Sequence, residues 1–176
     1  RNNTRGITVG NGTRKITLRS ITAQNNSIQG ILLNGTTSGS ISSCDLSQNT
    51  TGLEVNNSSK LVVDSCVASA NIQAGFSFIT SATNTIINCK ALQNGTTSIV
   101  NSYGFVSQNG SGNIFNACVA DATQTTTGGA SFVAAGFGLL DTERCSKIME
   151  CLSSNNFTSN TAGSVSSPYG IYLQPN

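Results

Sequence analysis

Acidic side chains, the usual catalytic groups of glycosidases, are scarce in this chain of 176 residues. It has seven, and it has no histidine, which removes Ser-His-Asp and Cys-His mechanisms and most metal-assisted ones. A glycosidase needs two carboxylates about 5–9.5 Å apart. Asp141 and Glu143, followed by Arg144 in "DTER", come closest to this requirement, although a solvated turn explains the same cluster. The sequence therefore predicts no catalytic residue, cofactor or metal.

Aromatic side chains in the C-terminal half stand among amides and hydroxyls, a combination that suits a sugar ring. They lie in or beside three polar segments, "GTTSIVNS" (95–102), "QTTTGGASFVAA" (124–135) and "FTSNTAGSVSSP" (157–168). The alternative is that these segments pack on one another and cover a flank. The predicted ligand-binding residues are Tyr103, Phe132, Asp141, Glu143, Arg144, Phe157, Tyr169 and Tyr172.

These groups are positioned by a repeat in which a glycine precedes a cysteine by fourteen residues. The spacing is fifteen in the fifth pair, and the first copy runs from Gly6 to Ser20, with serine in place of cysteine. Uninterrupted copies are 22 or 23 residues long, and a fixed period of this length indicates a solenoid. The five pairs are Gly30 and Cys44, Gly52 and Cys66, Gly75 and Cys89, Gly104 and Cys118, and Gly136 and Cys151.

Within each copy, apolar residues alternate with polar ones after the glycine, which indicates a strand with one buried face. A second alternation precedes the cysteine, and no segment has a helical period. Two or three short strands per turn predict an all-β, single-stranded parallel β-helix of about seven turns, forming one domain over residues 1–176. A leucine-rich repeat is the competing solenoid, but its Leu-x-x-Leu-x-Leu spacing is absent.

The glycine, small-residue and asparagine columns together resemble the right-handed parallel β-helix repeats of the pectate-lyase-like superfamily. That resemblance implies the fold over nearly the whole chain, and it leaves function open, since the superfamily includes enzymes, adhesins and phage tailspikes. Its pectinolytic members would require a carboxylate cluster with calcium and a basic residue, or paired acids. No repeat column here holds acids on adjacent turns, so no catalytic residue of the superfamily can be carried over to this sequence.

Five of the six cysteines fall in one column of the repeat, namely Cys44, Cys66, Cys89, Cys118 and Cys151. An even number of cysteines suggests disulfides in a small secreted protein. Neighbouring β-carbons in a stack would however lie about 4.8 Å apart, beyond the ~3.5–4.5 Å of a relaxed disulfide. We therefore predict a ladder of free buried thiols that act as small hydrophobes and end at Ser20. Zinc or redox chemistry is the alternative, and Cys145, outside the column, is the candidate reactive thiol.

A second column lies five residues further on and consists of Asn25, Asn49, Asn71, Asn94 and Asn156, with Thr123 as the exception. Asparagine tolerates left-handed turn geometry, and its amide can hydrogen-bond to the next asparagine of a stack. We predict a structural ladder at a corner. The three polar segments leave from this same corner on successive turns, so they should lie side by side.

These features favour a non-catalytic structural or binding module, such as a surface fibre, stalk or adhesin-like domain. Open solenoid ends expose strand edges, which predicts partners there, either flanking chain or further copies that would build a filament. Glycans are the other predicted partner, at the face of the three segments. The alternative function is a carbohydrate-active enzyme fragment, a polysaccharide lyase or glycosidase, with Asp141 and Glu143 essential.

Low charge limits the remaining partners. Only 9% of residues are charged, against about 25% in a typical soluble protein, and the net charge is +2. Basic residues near the start favour a solvated end over a nucleic-acid site, and no apolar run approaches the ~18 residues of a membrane span. An extracellular, cell-surface or virion-associated location fits the neutral polar composition and the several Asn-x-Ser/Thr sequons. The early basic residues are Arg1, Arg5, Arg14, Lys15 and Arg19.

Overall fold

The computed structural model describes residues 3–95, 100–127, 132–160 and 167–174. Arg1 and the middle of each predicted polar segment, at 96–99, 128–131 and 161–166, lie outside the described residues. The described residues form strands joined by turns, and none of them forms a helix long and apolar enough to cross a membrane.

The strands assemble into three parallel sheets that run along one axis, with a short fourth sheet. The large sheet contains β1 (Arg5–Val9), β3 (Gln29–Asn34), β5 (Thr51–Asn56), β8 (Ala74–Ile79), β11 (Ser102–Gln108), β15 (Val133–Leu140) and β19 (Ser167–Leu173). The second sheet contains β2 (Arg14–Arg19), β4 (Thr37–Ser42), β6 (Ser59–Asp64), β9 (Thr85–Ile87), β12 (Ile114–Asn116) and β16 (Lys147–Met149).

The third sheet contains β7 (Val67–Ser69), β10 (Lys90–Leu92), β13 (Val119–Asp121) and β17 (Leu152–Ser154). The fourth contains only β14 (Gln124–Thr127) and β18 (Phe157–Asn160). Each turn of chain visits the large and then the second sheet, and from β7 onward the third sheet follows, so the predicted all-β parallel β-helix is confirmed.

The core is a set of columns in which like residues stack from strand to strand. The large sheet pairs Leu53 with Phe76 and Phe76 with Phe105, all fully buried. The rings of Phe76, Phe105 and Phe137 stack at centroid distances of 4.9 and 5.0 Å. Phe115, from the second sheet, meets the Phe105 ring edge-on at 5.9 Å. Strand-to-strand stacking therefore gives each layer of the core the same pattern.

The glycine column exists because the large and third sheets close on each other there. A Cβ added at Gly75 would lie 2.8 Å from the carbonyl oxygen of Gly104 and 3.0 Å from the Cβ of Ala91. Gly52 is as tightly enclosed, with the Gly75 oxygen at 2.6 Å and the Ala68 Cβ at 2.9 Å. Close approach of backbone to backbone thus explains both the glycine and the alanine that follows the cysteine.

The corners of the helix are made by single residues in the left-handed conformation. One such column precedes the cysteines and another precedes the asparagine ladder, with φ values of 51–59°. A non-glycine residue in this conformation costs about 1–2 kcal/mol, so the surrounding stack must hold each corner in place. The two columns are Ser20, Ser43, Ser65, Asn88, Ala117 and Glu150, and Asn25, Gln48, Ala70, Gln93, Ala122 and Asn155.

In the first turn of the helix, the structure shifts the predicted cysteine and asparagine columns by one residue. Four residues, 10–13, separate Val9 from Arg14, whereas three residues, 34–36, separate their paired residues Leu33 and Thr37 in the next turn. As a result Ile21, not Ser20, lies beside Cys44. In the same way Asn26, not Asn25, joins the ladder, since both its backbone N–H and its Nδ2 donate to Asn49 Oδ1 at 2.9 Å.

The asparagine ladder works through side-chain hydrogen bonds rather than through left-handed backbone. The backbone N–H of Asn49 donates to Asn71 Oδ1 at 2.9 Å, and that of Asn71 donates to Asn94 Oδ1 at 3.1 Å. Of the predicted column only Asn25 has a positive φ, so the prediction of left-handed geometry for the ladder itself is wrong. The left-handed residue is the one before each ladder asparagine.

A second asparagine ladder, which the sequence analysis missed, lines the second sheet. Asn84 donates from its backbone N–H and its Nδ2 to Asn113 Oδ1 at 3.1 and 3.0 Å, and Asn113 N–H donates to Ser146 Oγ at 2.9 Å. Asn84 and Asn113 both stand nine residues after a repeat glycine, and this was the available signal.

The described cysteines are all free, and their column is an interior ladder. Cys44, Cys66, Cys89 and Cys118 are buried and Cys151 is half-buried. Cys89 Sγ donates to the carbonyls of Ile87 at 3.3 Å and Val63 at 3.6 Å, and burial raises the pKa of the Cys44 and Cys151 thiols. Cys145 is exposed at another left-handed corner.

Thr123 interrupts the first ladder, and this generates a prediction. Its Oγ1 is buried without a hydrogen-bond partner, while its N–H donates to Asn156 Oδ1 at 3.2 Å. We expect Thr123→Asn to raise the free energy of unfolding by about 1 kcal/mol, because the new amide continues the ladder between Asn94 and Asn156. Urea denaturation measures the change.

Two companion variants make that measurement decisive. Thr123→Val removes the unpartnered hydroxyl without adding an amide, so it should gain less than Thr123→Asn. Asn71→Ala should lower the free energy of unfolding by about 2–4 kcal/mol, because it leaves the buried N–H of Asn49 without an acceptor and creates a cavity. A destabilised Thr123→Asn beside an unaffected Asn71→Ala would show that the ladder does not stabilise the fold.

Candidate functional site

The outer face of the large sheet has a concave surface beside Tyr103, one of the predicted aromatic residues. Two rows of side chains cross the strands there. One row pairs Thr51 with Ala74 and Ala74 with Tyr103. The other pairs Glu54 with Ser77 and Ser77 with Val106. Strands β5, β8 and β11 thus each contribute one residue to each row.

Between these rows lies a cavity of about 130 Å³. At about 30 Å³ per water molecule, this volume holds a few waters or one small ring. The lining residues are Thr51, Glu54, Gln73, Ala74, Ser77, Ile79, Tyr103, Val106, Gln108 and Leu140. Hereafter we call this space the outer cavity.

Polar groups in the outer cavity lack partners within the protein. Thr51 is 7% exposed and Ser77 is 8% exposed. Within the described part of the chain, neither of their hydroxyls, nor the side-chain amide of Gln73, makes a hydrogen bond to another residue. These groups are therefore open to the cavity and free to hydrogen-bond to a ligand or to water, and convergent polar groups in one concave space are typical of a binding site.

Charged groups border the outer cavity at both ends. At one end Gln29 Nε2 donates to Glu54 Oε2 at 2.7 Å, and Arg5 Nε donates to Gln29 Oε1 at 2.6 Å. At the other end Gln108 Nε2 donates to Asp141 Oδ2 at 2.6 Å. The amides orient both carboxylates without neutralising them.

Tyr103 forms the apolar wall of the outer cavity. It is 6% exposed and packs in a cluster with Ala135 and Leu140. Its ring lies over Gly138, where an added Cβ would be 2.8 Å from two ring carbons. Desolvation, followed by the nearby Tyr172 and Asp141, raises the pKa of Tyr103 to about 12, so its hydroxyl stays protonated at neutral pH and can donate a hydrogen bond.

Two of the other predicted aromatics continue this face toward β19. Tyr169 pairs with Ala135 and Tyr172 pairs with Gly138 across β15 and β19. Their ring centroids are 4.9 Å apart at an interplanar angle of 41°. The structure therefore brings Tyr103, Tyr169 and Tyr172 onto one surface, although only Tyr103 lines the outer cavity.

The remaining two aromatics belong to the polar segments and do not line the outer cavity. Phe157 begins β18, is exposed, and pairs with Gln124 of β14. Phe132 is half-buried just before β15. The parallel pairing of β14 with β18 places the described parts of the second and third polar segments side by side. Thr125 Oγ1, in the second segment, donates to the Val100 carbonyl of the first segment at 2.9 Å.

The "DTER" cluster serves the turn between β15 and β16. Asp141 occupies a left-handed corner and faces Gln108. Glu143 accepts hydrogen bonds from Gly110 N–H at 2.7 Å and from the Ser146 hydroxyl, whereas the Arg144 side chain is exposed. Each carboxylate thus has its own structural partner. Among the described residues, no group of three or more Cys, Asp or Glu side chains is arranged to hold a metal ion.

Sequence reasoning missed most of the outer cavity, including Thr51, Glu54, Gln73, Ser77 and Gln108. These residues face outward, where the repeat imposes no residue type, so no column pattern marks them. The available signal was their strand position, since Glu54 and Ser77 both stand two residues after a repeat glycine.

A family model for the right-handed β-helix region matches residues 1–176. The chain belongs to the right-handed β-helix family. No curated protein matches this β-helix by sequence.

Solved structures similar to this β-helix have low sequence identity to it. An alginate lyase from Paenibacillus sp. str. FPU-7 is 10% identical, with 96% of this chain and 91% of that chain covered and a TM-score of 0.43. The periplasmic alginate epimerase AlgG is 13% identical, with 84% and 47% covered and a TM-score of 0.47. ORF18 of Geobacillus virus E2 is 13% identical, with 92% and 40% covered and a TM-score of 0.45. The chain spans less than half of the latter two.

Proposed function

We propose that this β-helix is a non-catalytic module that binds a glycan along the outer face of its large sheet. The observation that carries the proposal is the outer cavity, into which Thr51 and Ser77, residues that are more than nine-tenths buried, present hydroxyls with no hydrogen-bond partner in the described chain. A sugar presents many hydroxyls, and each can satisfy one of these groups.

The shape of the surface supports a chain-like ligand. From β5 to β19 the face extends over four strand spacings, or about 19 Å. Polar groups concentrate near β5 and β8, and the tyrosines near β11 and β19. An extended glycan can therefore hydrogen-bond at one end and stack its apolar ring faces at the other.

The placement of the acids supports binding over catalysis. Glu54 lies on β5, and Asp141 follows β15, three strand spacings or about 14 Å along the axis. Hydrolysis by paired acids needs carboxylates about 5–9.5 Å apart. Asp141 and Glu143, the pair that the enzyme alternative requires, are engaged with Gln108 and with Gly110 and Ser146 respectively.

An extracellular, cell-surface or virion location is part of the proposal. A surface with few charges and many amides and hydroxyls suits contact with glycans. Free thiols survive in oxidising surroundings when they are buried, as four of the six are here.

Filling the outer cavity tests the binding function. Ser77→Leu places an apolar side chain in the cavity while leaving the inward face of β8 unchanged, so it should abolish glycan binding without unfolding the protein. Ser40→Leu makes the same change on the outer face of β4, in the second sheet, and should bind as the unmodified chain does. A glycan array followed by calorimetry on the best binder measures both.

Three results of that experiment are informative. Binding that Ser77→Leu removes and Ser40→Leu preserves supports the proposal. Binding that survives Ser77→Leu would place the glycan elsewhere and contradict it. Cleavage of a bound glycan, lost in Asp141→Asn or Glu143→Gln, would establish the enzyme alternative instead.

A second role, end-to-end stacking of copies, is favoured by the exposed apolar side chains of the last strands. Leu173 of β19 is 62% exposed, whereas Phe78, in the same column on β8, is fully buried. Ile7 and Val9 of β1 occupy the columns of Ile171 and Leu173, so β1 of a second copy can pair with β19 and continue both columns.

Particle shape in negative-stain electron microscopy tests this stacking. Threads should form as the protein concentration rises, and Leu173→Lys should shorten them, because a charge would be buried at each junction. Lys60→Gln, a charge change on the exposed surface of β6, is the matched control. Discrete short rods at every concentration would contradict stacking and leave glycan binding untouched.

A further inference from the structure

We infer that the sugar unit in the outer cavity is an amino sugar, whose ammonium group meets the carboxylate of Glu54. This inference rests on the proposed glycan-binding function and names its ligand class. It follows from the charge of the cavity and from the hydrogen bonds that Glu54 does and does not make.

Glu54 is the only charged residue among those that line the outer cavity. Its Oε2 accepts the amide of Gln29, and no arginine or lysine of the described chain forms an ion pair with it. Arg5, the cation nearest in this hydrogen-bonded chain, is held by Gln29 Oε1 instead. The carboxylate therefore enters the cavity oriented but without a counter-charge.

The far end of the cavity has the same sign. Gln108, which lines it, is held by Asp141, a second carboxylate. Tyr103, between them, stays a neutral donor at neutral pH. A cleft lined by one sign of charge concentrates ligands of the opposite sign and repels its own. Sugars bearing carboxylates are thus disfavoured by the same groups that attract an ammonium.

The other cavity groups fit a sugar of either charge. Thr51 and Ser77 hydroxyls and the Gln73 amide both donate and accept, so they bind ring hydroxyls without regard to net charge. Selection among sugars consequently falls on Glu54, because a charge-assisted hydrogen bond exceeds a neutral one in strength and a like charge in its place is repelled.

Calorimetric titration with three defined oligomers tests the inference. The probes are tetramers of glucosamine, of N-acetylglucosamine and of galacturonate, added to the unmodified protein, to Glu54→Gln and to Glu150→Gln. Glu54→Gln keeps the shape and can still accept the Gln29 amide. Glu150→Gln removes one negative charge from an exposed corner distant from the cavity and is the matched control.

We expect the glucosamine tetramer to bind best, about 10-fold more weakly to Glu54→Gln and equally to Glu150→Gln. Added salt should weaken this binding, and Glu54→Gln should reduce that salt dependence. The N-acetylated tetramer should bind the unmodified protein and Glu54→Gln alike, since it carries no ammonium.

The other outcomes separate the inference from the function on which it rests. Binding of glucosamine that Glu54→Gln leaves unchanged, or tighter binding of the galacturonate tetramer, would overturn the amino-sugar assignment. Binding of the N-acetylated tetramer alone, removed by Ser77→Leu, would overturn the assignment while the glycan function stands. Absence of binding by all three, together with a blank glycan array, would overturn both.

Discussion

The structure depends on parallel strands stacked in register, each about 4.8 Å above the last. Because each residue lies on its counterpart from the previous turn, one unsuitable residue affects two neighbours as well as itself. The column of glycines shows the constraint most directly, since a Cβ at Gly75 would meet the backbone of the next turn and the side chain of Ala91. Left-handed corners such as Gln48 are tolerated for the same reason, because the strands on both sides fix their position.

This constraint explains how much of the fold could be predicted from the sequence. Inward positions face a narrow interior, so each column admits few residue types and repeats visibly along the chain. The prediction slipped where a turn changed length, at 10–13, and the register of Ser20 and Asn25 moved by one residue. One extra residue in an exposed turn does not change the residue pattern enough to be recognised from the sequence. The strand register and the hydrogen bonds of Asn26 both reveal the shift.

The candidate site was less predictable because outward positions are free of the stacking constraint. Tyr103 was found from its aromatic type, whereas Ser77 and Glu54 have side chains that are ordinary on any surface. What distinguishes them is geometry, namely that both line one cavity, where Glu54 accepts the Gln29 amide and Ser77 has no hydrogen-bond partner in the described chain. The predicted aromatic residues also fall into two places in the structure. Tyr169 and Tyr172 share the outer face of the large sheet, whereas Phe157 belongs to the fourth sheet.

In a solenoid of this kind, the inner side of each sheet provides stability and the outer side is available for function. The interior columns and asparagine ladders hold the turns together, and the outer face is free to present one functional group per strand at a fixed spacing. A crystal structure of the protein with a bound glucosamine tetramer tests this account most directly. The account predicts a sugar ring in the outer cavity, within hydrogen-bonding distance of Thr51 and Ser77, with its nitrogen at Glu54. A tetramer bound at the fourth sheet beside Phe157, with the outer cavity filled only by water, would contradict it.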